Sequence, residues 1–333
     1  MSGGAPVVQT VTGPRPVDEL GVVLMHEHVI TRSPGLREDY PSTFRRAEVV
    51  ALCVEGLAAI RDVGVDTIVD HTTYDLGRDV ELLAEVSRAS GVAIVAATGV
   101  WIEPQRFWHQ RAPVETAELL IGDLENGVAG TDIRAGVIKC AIDRAGLTPP
   151  VERVLRACAI AHRATGAHIS THTHAADRNG LDQQRIFAEE GVDLGRVVIG
   201  HCGDSTDLEY LRSLLAGGSY LGMDRFGVED VLADEDRVDV VATLCAEGSA
   251  GRLLLSHDAS FWNDRTPVAA LRRLRPRHHH RHVVEDVVPA LRARGVGADQ
   301  VEAMLVGNPR EIFATATAYP GEPSAAARHN AWD

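Results

Sequence analysis

Eight short apolar runs, most of them followed by a stretch with helical periodicity, constrain the fold of this chain more than any other feature. The runs are residues 21–26, 65–71, 92–98, 135–140, 168–172, 196–201, 219–224 and 252–257. They are rich in Val, Ile, Leu and Ala, as expected of parallel strands buried on both faces. Between them, residues 45–63 carry Ala47, Val50, Leu57 and Ile60 on one helical face, and residues 151–165 form a second such segment. Gly64, Gly91, Gly166, Gly191 and Gly251 fall just before strands, where helix C-caps are expected. Eight βα units predict an α/β fold, a closed (β/α)8 TIM barrel in a single domain. An open doubly wound sheet is the runner-up, but no GxGxxG follows the first run and there is no P-loop. The length, 333 residues with 45% hydrophobic content, suits one such barrel. Residues 1–10 are expected to be an N-terminal extension, 11–315 the barrel, and 316–333 a flexible tail containing Pro320, Gly321, Pro323 and an alanine run.

A net charge of −14 makes the chain a poor electrostatic match for nucleic acid or anionic membrane. The five cysteines, Cys53, Cys140, Cys158, Cys202 and Cys245, are odd in number and form no CxxC pair, which fits free thiols in a reducing compartment. The first residues lack a basic region followed by an apolar one, and no apolar run approaches the roughly 18–20 residues of a membrane span. A cytoplasmic location is the expectation.

In a barrel the carboxyl ends of the strands build the site. Strand one ends in Met25-His26-Glu27-His28, strand four in Ile138-Lys139 and strand five in Thr171-His172-Thr173-His174. Strand six ends in Gly200-His201, and strand eight in Ser256-His257-Asp258. Residues i and i+2 of a strand point the same way, so His26 and His28 can both aim into the mouth while Glu27 points out. Imidazole suits zinc and similar first-row ions. Singly, each of these residues has a bland reading. A lone HxH can be a surface pair, His201 a core histidine, and Asp258 a helix N-cap. Together they make a rim of His, His, Lys, His, His and Asp. Lys139 is cationic at its ordinary pKa of about 10.4 and cannot bind a metal in that form. Near bound cations its neutral amine becomes accessible and can take up carbon dioxide as a bridging carbamate. A lysine paired to a rim carboxylate is the alternative.

These ends lie within longer matching stretches. They include TVTGPRPVDELGVVLMHEH, GVDTIVDHTTYDLGRD, AGVIKCAID, ISTHTHAADRNGLDQQRIFAEEGVDLGRVVIGHCGDSTD, GSYLGMDRFG, LLLSHDA and NPREIF. From about Val11 to Phe313 the chain resembles the phosphotriesterase family of the amidohydrolase superfamily, and within it the bacterial phosphotriesterase-like lactonases. The resemblance implies that His26, His28 and Asp258 hold a buried metal and that His172 and His201 hold a more exposed one. Carboxylated Lys139 and a hydroxide would bridge the two ions. Zinc is the foremost expectation, with cobalt, manganese or iron also suited. Asp258 and Lys139 are then the expected catalytic residues, Asp258 accepting the proton. His174 is not a ligand position in this pattern, and a structural role suits it better. The resemblance also implies a homodimer.

Arg225, in GMDRFG, matches a pocket-lining position of the lactonase branch, and Trp101 stands where that branch usually has a tyrosine. Both are expected to contact substrate. Trp101 supplies an aromatic wall without a phenol hydroxyl, a departure that looks more like the phosphotriesterases proper. Phe107 and Trp108 are expected to form an apolar lip. After strand eight, Phe261, Trp262 and the run Arg275 to His282 (RPRHHHRH) are read as a loop where substrate choice is set, its histidines a solvated basic stretch. The expected function is a two-metal hydrolase of lactones or carboxyl esters with weaker phosphotriesterase activity. The rivals are a dedicated phosphotriesterase or N-acyl amide hydrolase, and a non-catalytic small-molecule binder on a barrel.

Overall fold

A computed structural model describes residues 5–319, 321 and 324–328. It opens on an antiparallel hairpin of β1 (Val7–Thr10) and β2 (Gly13–Pro16). Eight parallel strands follow, each hydrogen-bonded to the next in sequence. They are β3 (Val23–Thr31), β4 (Thr67–Asp70), β5 (Ala93–Gly99) and β6 (Val137–Ile142). The remainder are β7 (Ile169–Thr173), β8 (Val197–Ile199), β9 (Tyr220–Met223) and β10 (Leu253–Leu255). The chain then runs on into β11 (Ser260–Asn263), which pairs with β3, Ser260 opposite His28. In the gap between β10 and β11, Asp258 N donates to His26 O at 3.0 Å and His28 N to Ala259 O at 2.9 Å, so the eighth strand line closes onto the first. The result is a (β/α)8 barrel, as the alternation predicts.

The helices pack outside. Arg46–Asp62 and Pro149–Thr165 occupy nearly the stretches predicted for them. One apolar layer lies between sheet and helices, built from residues such as Leu24, Ile68, Ile94 and Ile138. A second fills the barrel interior with Val23, Met25, Val69, Val95, Val137, Val198 and Leu254. Val8, Val17, Leu20, Ile312 and Phe313 join this inner cluster. The expected N-terminal extension therefore includes a paired strand with a buried residue. In the expected tail, Tyr319 bonds His162 and accepts from Asp193 N at 3.0 Å, and Ser324 bonds Glu190. Pro320, Pro323 and residues 329–333 lie outside the described residues. No helix among those described is long and apolar enough to cross a membrane. All five cysteines are buried and free.

Candidate metal centre

The first histidine pair depends on an irregularity in β3. Its register on β4 slips between Leu24 and Glu27. Met25 accordingly packs in the barrel interior, while His26 and His28, one and three residues later, both line the cavity at the mouth. Glu27 turns the other way, as expected, but into protein rather than water. Its carboxylate accepts from His257 Nδ1 at 2.6 Å, His257 N at 2.9 Å and Ala259 N at 3.1 Å. Burial pushes the Glu27 carboxyl up to about 7.

Lys139 rises from β6 with 1% exposure, its Nζ 3.2 Å from His26 Nε2 and donating to Thr171 O at 2.9 Å. Gly99 of the neighbouring β5 makes this approach possible. At φ +120° it has a conformation L residues avoid, and a Cβ there would lie 1.9 Å from Lys139 O. His201, Arg225 and Asp258 follow β8, β9 and β10, and all three have positive φ, at 60°, 65° and 56°. Only two other described non-glycine residues do, so left-handed backbone concentrates where the strands hand their side chains to the mouth.

The four histidines are held in defined tautomers. Asp224, at the end of β9, accepts from Nδ1 of His26 through one oxygen and from Nδ1 of His201 through the other, both at 2.9 Å. His28 Nδ1 lies 2.8 Å from Thr72 Oγ1, which itself donates to Ile30 O. His172 Nε2 faces Asp143 Oδ1 at 3.3 Å. A nitrogen that donates to a carboxylate leaves the other ring nitrogen as a lone pair. The lone pairs are therefore His26 Nε2, His28 Nε2, His201 Nε2 and His172 Nδ1. The last two face each other at 2.8 Å, and His28 Nε2 lies 3.2 Å from Asp258 Oδ1. Acceptors in such contact repel unless a cation lies among them. The donor set fits divalent ions on this ground. Two groups of close donors could each hold one, His26 with His28 and Asp258, and His26 with His201 and Asp224. Because Asp224 is already committed to two Nδ1 atoms, we read it as orienting the rings.

The charge states agree. Burial first, and the Lys139 charge second, pull the His26 imidazole down to about 4. Burial holds His172 low and His201 well below the ordinary range, with Arg225 adding to the effect on His201. Burial also lowers the Lys139 ammonium to about 8, against the pull of Asp258 and Asp224. Burial opposes ionisation of Asp258, yet its polar surroundings, with the Arg225 cation bonded to it, keep it well below the usual carboxylate range.

All six predicted ligand residues, His26, His28, Lys139, His172, His201 and Asp258, line one cavity of about 490 Å³, together with Arg225 and Trp101. Arg225 does not hold a surface ion pair. Its Nε donates to Asp258 Oδ2 at 3.0 Å and its Nη1 to Asp204 Oδ2 at 2.8 Å, and buried Arg237 grips Asp204 from behind. His174 stays outside and pairs with Asp177 at 2.6 Å. Trp108 is buried beneath Phe107 and bonds Tyr74, so only Phe107 stands exposed as a lip.

The histidine-rich stretch corrects the reading of a solvated loop. His280 and His282 are 3% and 2% exposed. His278 and His280 bond the carbonyls of His257 and His28, and His282 lies between Asp234 and Asp286. His278 and His280 thus brace the backbone beside His28 and Asp258. Phe261 stacks on His280 and Trp262 packs on Phe44, so neither of these aromatics faces the mouth. Sequence reasoning missed Asp224 and Asp143 as ring-orienting carboxylates. The available signal was a carboxylate at or just past a strand end, the same position that drew attention to Asp258.

Comparison with known proteins agrees with this geometry. A family model described as the phosphotriesterase family matches residues 6–313. A "phosphotriesterase homology protein" of Mycobacterium tuberculosis is 48% identical over 318 residues, covering 92% of this chain and 98% of its own. An "aryldialkylphosphatase" of Saccharolobus solfataricus is 34% identical over 300 residues, covering 89% and 95%. The solved structure of the phosphotriesterase from Mycobacterium tuberculosis superposes with a TM-score of 0.89 at 48% identity, covering 92% of this chain and 98% of that one. By sequence, fold and the donor set at its mouth, the chain belongs to the phosphotriesterase family.

Proposed function

We propose that the chain is a two-metal hydrolase that opens lactones or carboxyl esters and turns over phosphotriesters more weakly. The observation that carries this reading is the set of inward lone pairs on His26, His28, His172 and His201 beside the Asp258 carboxylate and the Lys139 amine. Divalent ions held there, zinc foremost, supply Lewis acidity toward a carbonyl or phosphoryl oxygen and make a water nucleophilic at neutral pH.

The chain's own groups do the rest. His26, His28 and Asp258 would hold one ion, and His172 and His201 the other. The Lys139 amine, brought toward neutrality by burial, attacks carbon dioxide. An N–C bond forms, one C–O π pair becomes the carboxylate charge, and nitrogen gives up a proton to solvent. The product is a two-oxygen anion, which would give the ions a further carboxylate ligand. Asp258, ionised and steered by Arg225, accepts the proton of the attacking water. Arg225 stays cationic, so it orients Asp258 without relaying its proton, which leaves through the open cavity.

Val228, Val231 and Leu271 line the same cavity and suit an acyl chain, while Leu76 and Trp101 supply further apolar wall. The five buried free thiols are consistent with a cytoplasmic enzyme, which we take to be a homodimer. Side-by-side turnover of an acyl-homoserine lactone, simple γ- and δ-lactones and paraoxon tests the substrate class. The lactones should give the higher kcat/KM. Efficient turnover of the organophosphate alone would overturn the assignment.

A further inference from the structure

His71 belongs to no group assigned so far. It follows the last residue of β4 and lies two positions beyond Val69, which faces the barrel interior. The residue level with it on β5 is small, Ala97, because Asp70 pairs with Ala96, and the next inward position is Gly99, opposite Lys139. Little bulk from β5 thus separates His71 from Lys139. The His71 ring is fully buried and stands edge-on to His26, with centroids 4.2 Å apart. Neither of its ring nitrogens has a hydrogen-bond partner. Leaving a buried polar group unmet costs roughly 1–3 kcal/mol, and here there are two. The nitrogens fall in neither group of close metal donors at the mouth, so direct ligation does not supply the missing partner.

We propose that His71 is a positioning residue for the carbamate formed on Lys139, donating its one N–H to a carbamate oxygen. The inference rests on the metal-centre reading above and adds one residue to it. Lys139 Nζ already meets His26 Nε2 and Thr171 O. Carboxylation would add two acceptor oxygens to that nitrogen, beside the His26 ring that His71 contacts.

The test uses the full chain, stripped of metal and reconstituted with zinc over a range of ¹³C-bicarbonate. It reads the ¹³C carbamate signal and bound zinc per chain, with no substrate present. In His71→Leu, the bicarbonate needed for half-maximal carbamate should rise about tenfold, as for the loss of one hydrogen bond to a charged group. His71→Gln, which returns a donor, should recover part of this. Thermal stability of the metal-free Leu variant should not fall, because the substitution removes two unmet polar atoms. If His71→Leu does not fold, His71→Gln and the ¹⁵N imidazole signals of the unaltered chain decide. The His71 signals should shift when the carbamate forms. Unchanged bicarbonate dependence in a folded variant, or unshifted ¹⁵N signals, would overturn the proposal and leave the metal centre standing. Absence of any carbamate in the unaltered chain would remove both.

Discussion

At the scale of single residues, the centre is a problem in proton placement. Six donors at one mouth do not make a metal site unless their lone pairs point inward, and in this chain acceptors placed behind the rings decide that. The six residues that the structure gathers at the mouth were legible, because His26, His28, Lys139, His172, His201 and Asp258 all stand at or just past the ends of apolar runs. Their orienting partners were not. Asp224 looks in sequence like any strand-end aspartate, and its role appears only when β9 lies beside β8 and its two oxygens reach the Nδ1 atoms of His26 and His201. His71 was equally hidden, because a histidine in a buried run reads as core. For Asp224→Asn, one of the two rings loses its acceptor. Metal affinity, measured by competition with a chelator, should fall about 10–100-fold. Urea unfolding of the metal-free chain should change far less.

At the scale of elements, the strands were legible from their apolar runs and the two long helices from their periodicity, but their ends were not. β3 runs to Thr31, five residues past the predicted end, because β11 supplies it with a partner beyond the interruption between Leu255 and Ser260. Nothing in residues 260–263 signals a strand that pairs with one more than 200 positions earlier. The histidine run from His278 misled because local composition reads as solvated, whereas its partners are distant carbonyls and carboxylates. Gly251 lies in a short helical turn and not in a left-handed cap, although Gly91 and Gly166 cap helices as their positions predict. The contact between β5 and β6 at Gly99 gives an element-level prediction. Gly99→Ala places a methyl group against the Lys139 carbonyl at a φ that disfavours alanine. It should cost about 3 kcal/mol or more of stability in urea unfolding and leave the folded chain with less than its full complement of zinc.

At the scale of the whole molecule, the barrel buries many imidazoles, and burial lowers most of them. Burial lowers His162 to about 4 and His168 to about 3. In the unfolded chain both take up protons near pH 6.5. Between that value and their folded-state values the unfolded chain binds more protons, so stability falls as pH drops through the window. The Tm of the metal-free chain should decline from about pH 6.5 toward 4, the lowered imidazoles outweighing Glu27, whose raised carboxyl acts in the opposite sense below about 7. His168→Leu should remove part of that slope. The closed barrel was readable from eight βα units, and so was the rim at which its chemistry sits, because strand ends in a barrel share one face. The most direct test of that rim is a zinc titration of the chelator-stripped, folded chain in bicarbonate, with bound metal counted per chain. The account predicts two tightly held ions; a folded chain that holds one or none would contradict it.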